Sequence, residues 1–330
     1  MIGAGRIAET HARNVAATAG LSLTVVADIV ESRAAALAAH YGASTLVSAE
    51  AVIGSREIDA VIVASSTETH AALIEACVAA GKPVYCEKPL AKTIEAARLL
   101  LDHVGDRAEK VMIGLNRRFD AGHRDMRRRT REGAVGKLQT VEITSRGPNS
   151  VPSAEYLEAS GGIFRDKCIH YLDLACWIAD ETPEEVFAMG AVVGDQVFRD
   201  VNDFETGMIV LRMPSGALCQ INNSRRAVYG YDDRIEVFGT GGLVESARMP
   251  RGNLVETHAD GRMFSPLTQN SDERYGRSWL SAMESFERMT RGEPTDGATL
   301  ADAYRAQLVA EAATISAKTG RAVRLADLTS

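Results

Sequence analysis

With 330 residues, 45% of them hydrophobic and 25% charged, the chain has an ordinary globular composition and the length for two separately cored domains. Its 44 acidic residues against 37 basic ones give a formal charge of -7, a sign that repels a phosphate backbone, so nucleic acid is not an expected partner. Five cysteines, an odd number without a Cys-x-x-Cys pair, argue against a disulfide framework and a zinc site, no apolar run reaches the roughly 18 residues of a membrane helix, and the N-terminus shows no export signal, so the expected setting is the cytoplasm with no membrane partner.

In chain order, the first third alternates short β-branched runs with Ala-rich amphipathic stretches: 23–27 then 32–41, 60–64 then 70–80, 83–86 then 93–104, and last 111–115. This alternation predicts parallel strands with helical crossovers, a doubly wound Rossmann sheet over residues 1–116. Such a domain needs a strand before its first glycine turn, yet Gly3 follows Met1 and Ile2 at once. The natural chain is therefore expected to begin upstream of Met1, with the central strand cut to a stub. The arginine run at 123–131 reads as a solvated helix face paired with acids. From about residue 137 the rhythm changes, and 137–145, 185–193, 206–213, 216–224, 234–239 and 242–246 read as strands joined by turns. The second domain, 117–330, is thus expected to be α/β with a large open, mainly antiparallel sheet, closed by helices at 278–290 and 300–319.

Three constellations carry chemistry. Gly3-Ala4-Gly5-Arg6-Ile7-Ala8 opens a helix: the first glycine permits a tight turn, the second lets a pyrophosphate approach the backbone, and Ala8 allows close packing. Asp28, at the end of the run 23–27, can accept hydrogen bonds from an adenosine ribose and repel a 2'-phosphate, which favours NAD over NADP. The same Asp could cap the following helix, and Ser32 or Arg33 could tolerate NADP. Next, Glu87-Lys88-Pro89 follows a buried strand directly, at the carboxyl edge where ligands of such sheets bind; there Lys88 would point toward the nicotinamide end, although a lysine after a strand is commonly a surface residue. Finally, Asp166, His170 and Asp173 lie at i, i+4 and i+7 of one apparent helix, which stacks two carboxylates and an imidazole on one face. Such a triplet suits general-base chemistry on an alcohol, although taken by itself it is more often a surface ion pair.

Taken in this order, the glycine loop, Glu87-Lys88-Pro89, Asn116-Arg117-Arg118-Phe119 and the Asp166/His170 pair resemble the Gfo/Idh/MocA oxidoreductase family over nearly the whole chain. The stretches Asn223-Ser224-Arg225-Arg226-Ala227-Val228-Tyr229-Gly230-Tyr231-Asp232 and Glu142-Ile143-Thr144-Ser145-Arg146 resemble its inositol 2-dehydrogenase branch. The resemblance implies a Rossmann domain followed by an α/β domain whose open sheet pairs subunits into homodimers or homotetramers. It implies NAD-dependent oxidation of a secondary hydroxyl of a cyclic polyol, myo-inositol to its 2-keto product, without a metal. The alternatives are a dehydrogenase of an aldose or another inositol isomer, and a non-catalytic nicotinamide-binding regulator.

Roles follow from the same resemblance. Lys88 bonds the reacting hydroxyl, His170 is the base and Asp166 supports both. Gly3, Gly5, Arg6, Ile7, Asp28, Ser65, Thr67, His70, Glu87 and Lys88 hold the cofactor. Arg118, Asn149, Asp173, Tyr229, Tyr231 and Tyr275 form the polyol pocket. The family pattern often has Asp after the histidine, where this chain has Tyr171, and Lys167 and Cys168 are also unusual there. These departures leave the identity of the polyol open.

Overall fold

The computed structural model describes residues 1–148 and 151–329, and the chain divides into two compact units. One comprises Met1–Phe119 with Arg277–Arg305; the other comprises Asp120–Gly276 with the chain from Ala306 onward. The rhythm of apolar residues carries no sign that 277–305 group with the first 119 residues.

The first unit contains strands β1 (Val25–Val26), β2 (Ser44–Thr45), β3 (Val61–Val63), β4 (Val84–Cys86) and β5 (Val111–Ile113). β1 pairs in parallel with β2, β3 with β4, and β4 with β5. Ile2 joins the two sets by bridging Ala27 on one side and Val63 on the other. Its amide donates to the Ile62 carbonyl and its own carbonyl accepts from Ala64, both at 2.8 Å. Helices α1 (Arg6–Ala17), α2 (Glu31–Tyr41), α3 (Ala49–Gly54), α4 (Thr67–Ala79) and α5 (Ile94–Val104) separate the strands. Strands β3, β4 and β5 are buried throughout, as expected for a parallel sheet covered on both faces. The small face of α1, Ala8 and Ala12 with Val15, packs into one core with Val26, Ile62, Tyr85 and Met112. Ala282, Met283 and Phe286 of the returning segment belong to the same core.

The second unit opens with α6 (Ala121–Arg131), capped by the Asp120 carboxylate on the amides of Gly122 and His123. Then follow β6 (Leu138–Arg146), α7 (Ala154–Ser160), a π-helical turn (Phe164–Cys168) running into α8 (Ile169–Ala179), β7 (Glu185–Ala191), α9 (Val197–Asp200), β8 (Thr206–Arg212), β9 (Leu218–Ser224), β10 (Asp232–Gly239) and β11 (Gly242–Glu245). The exposed hairpin β12 (Val255–His258) and β13 (Gly261–Phe264), helices α10 (Ser271–Thr290) and α11 (Leu300–Thr319), and β14 (Val323–Arg324) complete the chain.

Seven strands form one sheet in the order β11-β10-β6-β9-β8-β7-β14, antiparallel except for the β6–β9 pair. Burial alternates strictly along β8, with Ile209 and Leu211 inward and Met208 and Val210 outward, the period of a sheet with one covered face. The fold is therefore a Rossmann unit plus an α/β unit with a large, mainly antiparallel sheet. The arginine run lies on α6, where Arg128 pairs with Asp125 and Glu132, and Arg129 with Asp125. Among the described residues no helix is long and apolar enough to cross a membrane.

Candidate active site

Gly3 turns the chain at φ 98°, and a Cβ built on it would lie 2.5 Å from the backbone of Ala64. Both facts require glycine, because the conformation and the approach of the β3 end exclude a side chain. Gly5 differs: it caps α1 at φ -82° and ψ -172°, and no atom lies within 4 Å of its Cβ position. Neither backbone nor packing explains its size, which leaves room for a group approaching the helix N-terminus from outside. Arg6 and Ile7 begin that helix. The Asp28 carboxylate accepts from the Ala4 amide at 2.7 Å and from the Val30 amide at 2.8 Å, and the cap of α2 is Val30 rather than Asp28. A cavity of 740 Å³ opens here, lined by Gly3, Gly5, Asp28, Arg33, Glu50 and Ser65 among others. This volume, with a helix N-terminus beneath Gly5 and a carboxylate at the end of β1, fits a dinucleotide.

Thr69, absent from the expected set, also lines the cavity, and its hydroxyl lies 2.6 Å from that of Ser65. Thr67 starts α4. His70 is buried, with Nδ1 2.7 Å from the Pro89 carbonyl and Nε2 3.2 Å from the Ser65 carbonyl, so it fastens the cavity loop to the Glu-Lys-Pro step. The Glu87 carboxylate also faces inward, where its Oε1 meets His11 Nε2 at 2.7 Å. Gly114 has no side chain because that carboxylate fills the space, 2.9 Å from where a Cβ would be. Burial pushes the Glu87 pKa up, but the His11 hydrogen bond and the charges of His11, Lys88 and His70 outweigh it and hold Glu87 below the usual carboxylate range. Lys88 follows, half-buried. Arg118 is 3% exposed and donates to Asp302 at 3.0 Å. Asp302 also accepts from the Thr299 amide; burial raises its pKa, and Arg118 more than reverses this, to about 2.

In the second unit, Asp166 sits in the π-helical turn and His170 in the first turn of α8. The wider turn, closed i→i+5, keeps residues four or five apart on one face, and π turns concentrate at functional sites. Asp166 Oδ2 accepts from Arg225 Nη1 at 2.9 Å, and both its oxygens lie within 3.1 Å of the Tyr156 hydroxyl, which donates to them. Arg225 Nη2 reaches Asp203 at 3.2 Å, and Asp203 in turn accepts from the amides of Ile163 and Phe204. Burial disfavours the Arg225 charge, but Asp166 and Asp203 outweigh it and keep the guanidinium charged. Neither Tyr156 nor Arg225 has a role legible in the sequence, since they stand 10 and 59 positions from Asp166 and no local pattern links them to it.

Lys167 donates to the carbonyls of Ser145 and Ser224, at the ends of the neighbouring strands β6 and β9. Cys168 is fully buried and its thiol is pushed up to about 12, so it is no nucleophile. Asp173 is buried on α8. Tyr171 donates to Asp233 at 2.8 Å, Tyr275 donates to the same oxygen, and Tyr231 stacks edge-on against Tyr275 at 6.0 Å. Tyr231 and Tyr275 thus come together in a buried aromatic cluster. Tyr229 lies apart, donating to Asp232 at 2.9 Å on the wall of a 780 Å³ cavity with Arg146 and Arg248. Asn149 lies outside the described residues.

Residues 1–115 match the oxidoreductase family with an NAD-binding Rossmann fold, and residues 123–245 match the GFO/IDH/MocA C-terminal domain. The inositol 2-dehydrogenase of Rhizobium meliloti is 39% identical over 286 residues, covering 87% of this chain and 86% of that protein. The myo-inositol 2-dehydrogenase of Thermotoga maritima is 35% identical over 329 residues, covering 99% and 98%. A solved structure of a myo-inositol dehydrogenase from Corynebacterium glutamicum superimposes with a TM-score of 0.92 at 36% identity, covering 98% of this chain and 97% of that one. Both units having matched, the chain belongs to the GFO/IDH/MocA family of NAD-binding oxidoreductases.

Proposed function

We propose that the chain is an NAD-dependent dehydrogenase of a cyclic polyol and oxidises myo-inositol to its 2-keto product. The observation that carries this reading is Asp166, held by Arg225 and Tyr156 on the helical face it shares with His170. A fixed carboxylate one turn from an imidazole is the arrangement a general base for an alcohol requires. The substrate class rests on the names of the relatives, inositol and myo-inositol 2-dehydrogenases that align over most of this chain. Bound NAD supplies the hydride acceptor. Neutral His170 takes the hydroxyl proton, Asp166 orients the ring and stabilises its cation, and the Lys88 ammonium stabilises the negative charge that develops on the oxygen. Gly3, Gly5, Ser65 and Asp28 hold the cofactor, with Asp28 favouring NAD over NADP. Arg118, Asp173, Tyr231 and Tyr275 are the residues this reading gives to the polyol site.

A homodimer or homotetramer, built on the exposed sheet face, completes the reading. All five cysteines are buried free thiols, which supports a reducing cytoplasmic setting. NADH formation against myo-inositol, other inositol isomers and aldoses tests the proposal. The highest kcat/KM is expected for myo-inositol with NAD, and a clear preference for an aldose would overturn the substrate.

A further inference from the structure

Asp166, Arg225 and Asp203 form a chain of charges in which one cation serves two carboxylates, all nearly buried: their side chains are 11%, 4% and 6% exposed. We propose that Arg225, braced by Asp203, is the positioning residue for Asp166, and that Tyr156 closes this clamp from the solvent side. The inference rests on the dehydrogenase reading, in which Asp166 orients His170.

Each link is fixed to backbone. Asp203 holds the Ile163 amide at 2.9 Å and the Phe204 amide at 2.7 Å, so it is anchored to the residue that leads into the π-helical turn. Gly162, at φ 93°, lets it come this close: a Cβ there would stand 3.1 Å from the Asp203 carboxylate. The Arg225 amide donates to the Glu205 carbonyl at 2.9 Å, which holds the base of its side chain. Its planar fork then spends Nη1 on Asp166 and Nη2 on Asp203, a division that a lysine ammonium, with one nitrogen, makes poorly. Tyr156, 40% exposed, donates to both Asp166 oxygens at 3.0 and 3.1 Å. With both oxygens engaged, rotation of the carboxylate about its last bond breaks contacts on two sides.

The clamp also sets how much charge His170 experiences. An unbalanced carboxylate one turn away favours the imidazolium and leaves the base protonated; a cation on the far side of that carboxylate offsets the effect. Charged and titratable groups that face Asp166 include Arg225, beyond β9, and Tyr156, on α7, with Asp203 behind the guanidinium. On its own turn, the Lys167 ammonium is directed to the carbonyls of Ser145 and Ser224. Asp173 follows His170 on α8.

The test compares the full-length parent with Arg225→Gln, Arg225→Lys and Tyr156→Phe. Turnover with myo-inositol and NAD is measured alongside the titration of His170, followed by NMR of Cε1-labelled histidines and assigned with His170→Ala. Arg225→Gln is expected to lower kcat by about 10-fold or more, leave the KM for NAD within about twofold, and raise the His170 titration by roughly one unit. Arg225→Lys should restore part of both, and Tyr156→Phe should move both in the Gln direction by less. If Arg225→Gln does not fold, the double variant Arg225→Gln/Asp203→Asn removes the carboxylate left buried and is read in the same way. A folded variant with the His170 titration unmoved overturns the clamp. If the parent oxidises none of the polyols, the dehydrogenase reading falls, and the titration still decides the clamp.

Discussion

The Asp28 carboxylate receives the Ala4 amide at 2.7 Å, which ties the acid at the end of β1 to the glycine loop itself. Its second oxygen holds the Val30 amide. Replacing Asp28 therefore does two things: it removes a ribose acceptor and phosphate repellent, and it frees the loop that faces the cavity. Asp28→Ala should raise the KM for NAD by about 10-fold and improve the NADP-to-NAD ratio of kcat/KM. An unchanged ratio would take Asp28 out of cofactor selection and leave it the loop-tying role alone.

Gly3 and Gly5 should respond differently to the same methyl group. Gly3→Ala meets a left-handed backbone and the Ala64 carbonyl, so it should lower the melting temperature before any cofactor is added. Gly5→Ala meets neither, so the apoprotein should keep its melting temperature while NAD affinity falls. Calorimetric titration of NAD into both variants checks this; equal loss of stability in the two would refute the contrast.

His170→Ala should reduce kcat by roughly 100- to 10,000-fold, the usual range for a positioned proton acceptor, with the KM for NAD little changed. Alcohol oxidation by the parent should rise with pH as His170 loses its proton, and that limb should vanish in the variant. Lys88→Met should cut turnover but keep the limb, because it removes charge stabilisation and not the base. Tyr171 is no substitute base, since its hydroxyl is given to Asp233 in the interior. Near-parent turnover in His170→Ala, with chemistry rate-limiting, would end the assignment.

Arg118 and Asp302 make a pH-dependent contribution to stability. The Asp302 pKa falls from 3.8 to about 2: burial acts to raise it, and Arg118 prevails. A depressed carboxylate stabilises the fold fully above its unfolded pKa and loses that stabilisation as pH drops from about 4 toward 2. Asp302→Asn should cost about 3 kcal/mol at pH 7, because a guanidinium only 3% exposed loses this carboxylate. Urea unfolding at pH 7 and at intervals down to pH 2 should show a lower midpoint and a shallower acid dependence.

On the outer face of the large sheet, Phe187 lies across from Val210 and Met189 across from Met208, all exposed. In the proposed homo-oligomer this apolar patch is the surface that meets a second copy of the chain. Met208→Glu should shift the protein toward monomer in light-scattering chromatography. A parent that is already monomeric at assay concentration would remove the homo-oligomer reading.

The elements legible in the sequence are those whose periodicity repeats for several turns or strand pairs. Helix α11 matches its expected span because an Ala-rich run begins just after Thr299, where Thr299 and Asp302 cap each other. Strands β6 to β10 were readable through alternation, as in β8. Two-residue β2 and six-residue α3 are too short to show a period, and the hairpin β12–β13, exposed on both strands, has no alternation to detect. Asp166 and His170 were visible by spacing, whereas an i→i+5 turn looks the same in sequence as an i→i+4 one. Their supports were hidden because each is a long-range pair: Arg225 with Asp166, and His11 with Glu87. Glu87 was expected at the cofactor, and only the fold shows its carboxylate turned to His11.

The first unit closes its core with Ala282, Met283 and Phe286, from a segment that follows nearly the whole second unit in the chain. During synthesis at about 5–20 residues per second, roughly 10–40 s separate the emergence of residue 119 from that of residue 305. Throughout that interval the nascent half has its glycine loop but an open apolar flank, a natural target for holding chaperones. A recombinant fragment ending at Phe119 would keep that flank permanently exposed, so transplanting the cofactor module into another protein requires carrying residues 277–305 with it.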